Sequence, residues 1–165
     1  MDDIKNHFID RTIYHIRLVQ NNMILLEKNR DKLPFDIPEW EILRRSLKHD
    51  FSKFSSELIE GYLVVDEYYK CKRNNLSTEH IDMEKFQYAI DRHVEIELHH
   101  PNKKEFMSPL DICEMCSDIV AIAQEYKEKD YTEYYLTKQK KIFPLLNKYN
   151  NEILHILKLL EKLTV

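Results

Sequence analysis

The chain has 165 residues, of which 43% are apolar and 33% are charged, and its formal net charge is −4. This length corresponds to one ordinary domain with a sizeable core. The slight acidic excess does not supply the basic field that non-specific nucleic-acid binding requires, so we expect no nucleic-acid partner. The single glycine, Gly61, excludes a phosphate-binding loop and a dinucleotide-binding turn, because both need several glycines in a short stretch.

No segment of the sequence predicts export or membrane insertion. The N-terminal residues MDDIKNHFID lack the basic-then-apolar order of a signal peptide, and the longest apolar run, residues 119–123, is far too short to cross a bilayer. Cys71, Cys113 and Cys116 are an odd number of cysteines in a chain large enough to fold without disulfides. We therefore expect a cytoplasmic protein that does not contact a membrane.

The scarcity of turn residues, together with many Leu, Ile, Glu and Lys residues, predicts helices joined by short polar loops. We expect a single all-α domain, a bundle of five core helices within residues 3–129 followed by one or two helices within residues 131–163. The predicted helices cover residues 3–29, 39 into the HDFSKF segment at 49–54, 55–72, 79–99, 108–129, 131–142 and 145–163. Prolines mark several of these boundaries, because proline cannot continue a preceding helix.

Polar residues interrupt the apolar stripes of the predicted helices at His15, His49, Asp50, His93 and Asp118. On helical phase, all of these side chains point toward the core. Each one alone is more often a hydrogen-bonded core residue than a metal ligand. Together they favour one shared cation site, because an unpaired buried carboxylate is very costly. Imidazole and carboxylate ligands suit iron, manganese, zinc or cobalt.

The order of these motifs resembles a known family. The matching elements are Tyr14-His15, LKHDFSKF at 47–54 with Glu57, Ala89 with His93, HHP at 99–101 and EMCSDIVA at 114–121. The sequence is similar to the HD-domain superfamily of metal-dependent phosphohydrolases, an all-helical fold named for the adjacent His-Asp pair. Within it, the closest resemblance is to small phage and bacterial proteins with an HDLSKF-like segment.

This resemblance implies two groups of metal ligands. The first ion is held by His15, His49, Asp50 and Asp118, and Asp50 bridges to a second ion. The second ion is held by His93 together with one or both of His99 and His100, and the spacing leaves the choice between these two open. His93, Glu97 and His100 share one helical face, whereas unwinding of the helix end at Pro101 would turn His99 inward.

The resemblance also implies the catalytic roles. Lys53 matches the lysine that follows the His-Asp pair in the HD-GYP phosphodiesterases, where it anchors phosphate. Asp50 takes part as the bridging ligand, and the proton for the leaving group comes from His100 or from a metal-bound water. The Gly-Tyr-Pro segment of the HD-GYP proteins is absent, so specificity for cyclic di-guanylate is not expected.

The implied function is hydrolysis of a small phosphate ester by metal-activated water, with a nucleotide or cyclic nucleotide as the substrate. One or two divalent ions are expected, chosen from manganese, iron, zinc, cobalt and nickel. Two alternatives stay open: a di-iron oxygenase of the HD-domain type, and a non-catalytic accessory protein that binds and sequesters a nucleotide.

Other titratable residues receive simpler interpretations. We expect Glu114 to accept hydrogen bonds from metal-bound imidazoles. Cys113 and Cys116 form a C-x-x-C pair without a second pair, which favours core packing over metal binding. The remaining histidines lack a partner pattern and are interpreted as surface or packing residues: His7, His80 and His155.

Overall fold

The computed structural model describes residues 2–102 and 105–164, and all regular secondary structure in these ranges is helical. The α-helices are α1 (Asp2–Lys28), α2 (Glu41–Ser46), α3 (Ile59–Arg73), α4 (Met83–Ile96), α5 (Pro109–Glu125), α6 (Tyr131–Tyr134) and α7 (Asn150–Leu163). The predicted all-α class is therefore confirmed. Among the described helices, none has both the length and the hydropathy needed to cross a bilayer.

Local signals explain the helices that the sequence predicts well. The side chain of Ser108 accepts a hydrogen bond from the backbone N–H of Asp111, and the side chain of Asp111 accepts one from the backbone N–H of Ser108. This capping box, followed by Pro109 at the first helical position, starts α5 at the predicted place. Asp82 caps α4 by accepting a hydrogen bond from the backbone N–H of Lys85.

The predicted continuation of the second helix into the HDFSKF segment is wrong. Helix α2 ends at Ser46, Asp50 has φ of 59° in the left-handed region, and Phe51–Phe54 form a 3-10 turn. Helical phase therefore does not orient His49 and Asp50, although both side chains are buried. Their burial comes from the turn that follows α2.

Other predicted helix boundaries are also wrong. Helix α3 begins at Ile59 and not at 55, and α7 begins at Asn150 and not at 145. Helix α4 begins at Met83 and ends at Ile96, so that His99 and His100 lie in the segment after it. Helix α5 ends at Glu125. The predicted helix at 131–142 is a single α-helical turn, α6, that continues as a π-helical stretch over Tyr135–Gln139.

The contacts divide the chain into two compact units. The first unit combines the chain up to Tyr14 with Asp50–Glu97, and the second combines His15–His49 with the chain from Leu98 onward. The second unit has a large apolar core supplied by the C-terminal part of α1 together with α5 and α7. Fully buried members of this core are Val19, Met23, Leu26, Cys116, Val120, Ile153, Ile156, Leu157 and Leu160.

The first unit has a smaller core of its own, in which α3 packs against α4. Its buried apolar residues are Phe8, Leu58, Tyr62, Val65 and Ala89. Gly61 allows the two helices to approach closely, because a Cβ atom built on it would lie 2.6 Å from the Cβ of Ala89. The single glycine of the chain thus has a packing role.

We predict that Gly61→Ala lowers the free energy of unfolding by about 1–3 kcal/mol, the usual penalty for overpacking a core. This penalty exceeds the gain of up to about 1 kcal/mol that alanine brings to a helix interior. Urea denaturation measures the change. The matched control is Gly61→Ala combined with Ala89→Gly, which removes the clashing methyl group and is expected to recover most of the loss. A fully stable Gly61→Ala single variant would contradict the close packing of α3 on α4.

Candidate metal centre

The second unit brings three imidazoles and one carboxylate together. His15 lies on α1, His49 follows α2, His99 precedes α5, and Asp118 lies on α5. Nε2 of His15 lies 2.9 Å from Oδ1 of Asp118, and Nε2 of His99 lies 3.9 Å from Oδ2 of the same carboxylate. The ring centroids of His49 and His99 are 4.6 Å apart. These four side chains, here called the imidazole-carboxylate cluster, form the candidate centre.

The Nδ1 atoms of the imidazoles in this cluster lie close to carboxylate oxygens. Nδ1 of His15 lies 2.6 Å from Oε1 of Glu125. Oε1 of Glu114 lies 3.1 Å from Nδ1 of His49 and 3.4 Å from Nδ1 of His99. A carboxylate accepts, so the Nδ1 atoms that face Glu114 and Glu125 carry protons, and the lone pairs of His49 and His99 lie on Nε2. This is the arrangement by which outer carboxylates orient metal-ligating histidines. Nε2 of His15 faces the Asp118 carboxylate and donates to it in the metal-free protein.

The donor set fits a divalent transition metal. Ligand atoms of His15, His49 and Asp118 all lie within 4.8 Å of one another, and Nε2 of His99 joins them through its 3.9 Å separation from Oδ2 of Asp118. Two ligand atoms bound tetrahedrally at about 2.1 Å from one ion are about 3.4 Å apart. The two separations to Asp118, 2.9 and 3.9 Å, lie on either side of that value. A nitrogen-rich set of this kind suits zinc, iron, cobalt or nickel.

The electrostatics keep the carboxylates of Asp118 and Glu114 ionised. Burial acts to raise the pKa of Asp118, but the hydrogen bond and positive field of His15 outweigh it and hold that pKa well below its usual range. Burial likewise opposes ionisation of Glu114, while hydrogen bonds from His49 and His99 and the charge of Arg45 lower its pKa strongly. Asp118 is therefore a competent anionic ligand, and Glu114 a competent acceptor.

The first unit holds a second polar group around Asp50. Oδ1 of Asp50 lies 3.2 Å from Nε2 of His93, and Oδ2 accepts from the ammonium of Lys53. Oγ of Ser52 hydrogen-bonds Nδ1 of His93 at 2.9 Å. The Lys53 ammonium also lies over the ring of Tyr62, 5.4 Å from its centroid. Burial lowers the pKa of His93 and thereby favours the neutral imidazole. The hydrogen bond with the Asp50 carboxylate acts in the opposite direction but is the weaker effect.

The predicted site residues divide between these two groups. His15, His49 and Asp118 come together, and they are three of the four ligands expected for the first ion; the fourth, Asp50, belongs to the first unit. His99, which the resemblance assigned to the second ion, lies with them in the second unit, where its ring centroid is 4.1 Å from that of His100. Asp50, His93 and Lys53 form the separate group of the first unit. Glu114 contacts an imidazole, as the sequence predicts, through Nδ1 of His49.

Sequence reasoning missed two residues of this centre, Glu125 and Arg45. Glu125 lies seven residues after Asp118, so helical periodicity placed both on one face of α5 and was a usable signal. Arg45 contacts Glu114 across 69 positions of sequence, and no local pattern pointed to it.

The remaining candidates have structural roles. Cys113 and Cys116 are fully buried in the apolar core of the second unit, as predicted. Burial raises the pKa of the Cys113 thiol to about 12. His7 hydrogen-bonds Asp66 in the first unit. The exposed His80 contacts Glu67, and the exposed His155 contacts the backbone carbonyl of Lys32.

Comparison with known proteins gives a family without an assigned activity. No curated protein and no solved structure matches the chain. Residues 4–160 match the family of unknown function DUF5662, a span that includes both polar groups described above. The chain therefore belongs to the DUF5662 family.

Proposed function

We propose that this protein is a metal-dependent phosphohydrolase of the HD-domain type, acting on a small phosphate ester such as a nucleotide or cyclic nucleotide. The observation that carries the proposal is the imidazole-carboxylate cluster, whose imidazoles have their Nδ1 atoms on Glu114 and Glu125. The motif order that resembles the HD superfamily supports the reaction class. The reduced, buried cysteines accord with a cytoplasmic location, which is part of the same proposal.

His15, His49, His99 and Asp118 would hold the ion. A divalent transition metal supplies Lewis-acid polarisation of a phosphoryl oxygen and a nucleophilic water at neutral pH. Glu125 contacts Nδ1 of His15, and Glu114 contacts Nδ1 of the other two imidazoles, so Nε2 of each ring would be the nitrogen that holds the ion.

The roles of the remaining residues rest on the resemblance. It assigns Asp50 as the ligand that bridges the first ion and a second ion, His93 to the second ion, Lys53 to the phosphate, and His100 or a metal-bound water to protonation of the leaving group. The contact of Lys53 with Asp50 gives this lysine a further role in the first unit, as the cation beside a buried carboxylate. Removing Lys53 is therefore expected to affect stability as well as activity.

The first prediction from this proposal concerns metal content. The purified protein should carry about one tightly bound transition metal per chain, or two if the second group also binds. His15→Ala should lose the metal of the cluster, because one imidazole is removed and Asp118 loses the Nε2 partner that lies 2.9 Å away. His155→Ala is the matched control, since this exposed histidine of the second unit lies outside the cluster and should keep full metal content. Elemental analysis of the three proteins measures the difference.

The same preparations test the activity. Wild type and His155→Ala should hydrolyse phosphodiesters or phosphomonoesters, assayed with nitrophenyl phosphates, nucleotides and cyclic nucleotides, and His15→Ala should be inactive. A metal-loaded wild type that hydrolyses none of these substrates would refute the hydrolase. Metal-dependent oxygen consumption would instead indicate the oxygenase, and nucleotide binding without turnover the sequestering protein.

A further prediction concerns Lys53. In protein stripped with EDTA, Lys53→Met should lower the free energy of unfolding by about 1–3 kcal/mol, because the buried Asp50 carboxylate loses its ammonium partner. The exposed Lys48 provides the control, and Lys48→Met should leave stability unchanged. Urea denaturation checks both. If Lys53 also contacts phosphate, its loss should reduce kcat/KM by about 100-fold in the metal-loaded protein. A Lys53→Met variant with wild-type stability would contradict the role of Lys53 beside Asp50, and wild-type activity would contradict its contact with phosphate.

A further inference from the structure

Arg45 is a cation of the second unit to which neither the motif order nor the proposed reaction gives a role. It lies in the last turn of α2, and its side chain is 21% exposed. Its Nε donates to Oε2 of Glu114 at 2.6 Å, and its Nη2 donates to Oδ1 of Asp111 at 2.7 Å. One guanidinium therefore contacts two carboxylates on successive turns of α5.

Glu114 divides its two oxygens between different partners. Oε2 accepts from Arg45, whereas Oε1 faces Nδ1 of both His49 and His99. A carboxylate is planar, so a hydrogen bond that fixes the direction of one oxygen also fixes the direction of the other. Glu114 is only 1% exposed, and water does not compete for these contacts. The Arg45 guanidinium thus fixes the direction of the Glu114 carboxylate, and this carboxylate in turn contacts the two imidazoles.

Asp111 fixes the Nη2 side of the Arg45 guanidinium. Its Oδ2 accepts the backbone N–H of Ser108 in the capping box of α5, and its Oδ1 accepts from Arg45. The cap fixes Asp111, and Asp111 and Glu114 are one helical turn apart on α5. The planar guanidinium directs its N–H donors toward both of these fixed carboxylates at once. A lysine ammonium carries the same charge but lacks this planar arrangement of donors.

We infer that Arg45 is a positioning residue of the metal centre, which acts through Glu114 to hold His49 and His99 with Nδ1 protonated and Nε2 available to a metal ion. This inference rests on the proposed function where metal binding is concerned. The orientation of the imidazoles is a property of the metal-free protein and is testable separately. The competing interpretation is a structural ion pair that ties α2 to α5 and has no effect on the imidazoles.

The experiment compares Arg45→Gln and Arg45→Lys with Arg44→Gln in the full-length chain. Arg44 is the matched control because it is adjacent, exposed and paired with Glu41 on its own helix. Long-range ¹H–¹⁵N spectra of EDTA-stripped protein at pH 8 report the imidazole tautomers, and His49→Gln and His99→Gln assign the signals. Titration with Co²⁺, followed by its visible absorption, reports metal affinity, while circular dichroism and urea denaturation report folding and stability.

We expect Arg45→Gln to disturb the Nδ1-protonated tautomers of His49 and His99 and to weaken Co²⁺ binding by about 10-fold. This is the lower end of the loss on removing a direct partner of a metal ligand, because Arg45 acts through Glu114. Arg45→Lys should recover part of both, because it keeps the charge and loses the fork. Arg44→Gln should match wild type. If Arg45→Gln does not fold, Arg45→Lys alone carries the comparison, and a partial loss of tautomer and affinity then supports the inference.

Unchanged tautomers and unchanged Co²⁺ affinity in the Arg45 variants, whatever their stability, would overturn the inference in favour of a structural ion pair. If the wild type binds no Co²⁺, the proposed function fails, and the tautomer spectra alone decide the role of Arg45. Disturbed tautomers would then still support positioning, and wild-type tautomers would overturn it.

Discussion

The buried carboxylate of Glu114 is the interaction on which the candidate metal centre depends. A carboxylate at 1% exposure is tolerated only with partners that compensate its charge, and Arg45, His49 and His99 supply them. These partners come from the end of α2, the turn after it and the segment before α5. Glu114 therefore joins three separate parts of the second unit, and His49 and His99 take their orientation from it.

A second constraint lies in the backbone at the His-Asp pair. Asp50 adopts a left-handed conformation, which costs a residue with a Cβ atom roughly 1–2 kcal/mol, although aspartate tolerates it better than most residues. This single residue ends the turn after α2 and begins the 3-10 turn that carries Lys53. The adjacent residues His49 and Asp50 thereby belong to different polar groups, one in each unit. Strain of this kind is common at functional sites.

The parts of the fold that the sequence predicts well depend on local interactions. Helix α1 follows its apolar stripe, and α5 starts at the capping box of Ser108 because cap, proline and acid all lie within four residues. Helical phase does not describe the chain after Ser46, because α2 ends there and a turn follows. The burial of His49 and Asp50 was thus predicted correctly from a wrong local structure.

The candidate site was predictable only where a motif or a helix face carried the signal. His15, His49 and Asp118 follow from the motif order, and Glu125 shares the face of Asp118. The placement of His99 with these residues depends on the non-helical segment before α5, and the contact of Arg45 with Glu114 spans 69 residues. Contacts of this kind arise from tertiary packing, which no local pattern encodes.

The most direct test of the metal centre is X-ray absorption spectroscopy of the full-length protein loaded with one equivalent of zinc. The imidazole-carboxylate cluster predicts a first shell of nitrogen and oxygen at about 2.0–2.1 Å, with outer-shell scattering from about three imidazoles. Sulfur scattering at about 2.3 Å would instead place the ion on cysteine and contradict the account. A spectrum of hydrated zinc without imidazole scattering would contradict it equally, because the cluster would then bind no metal.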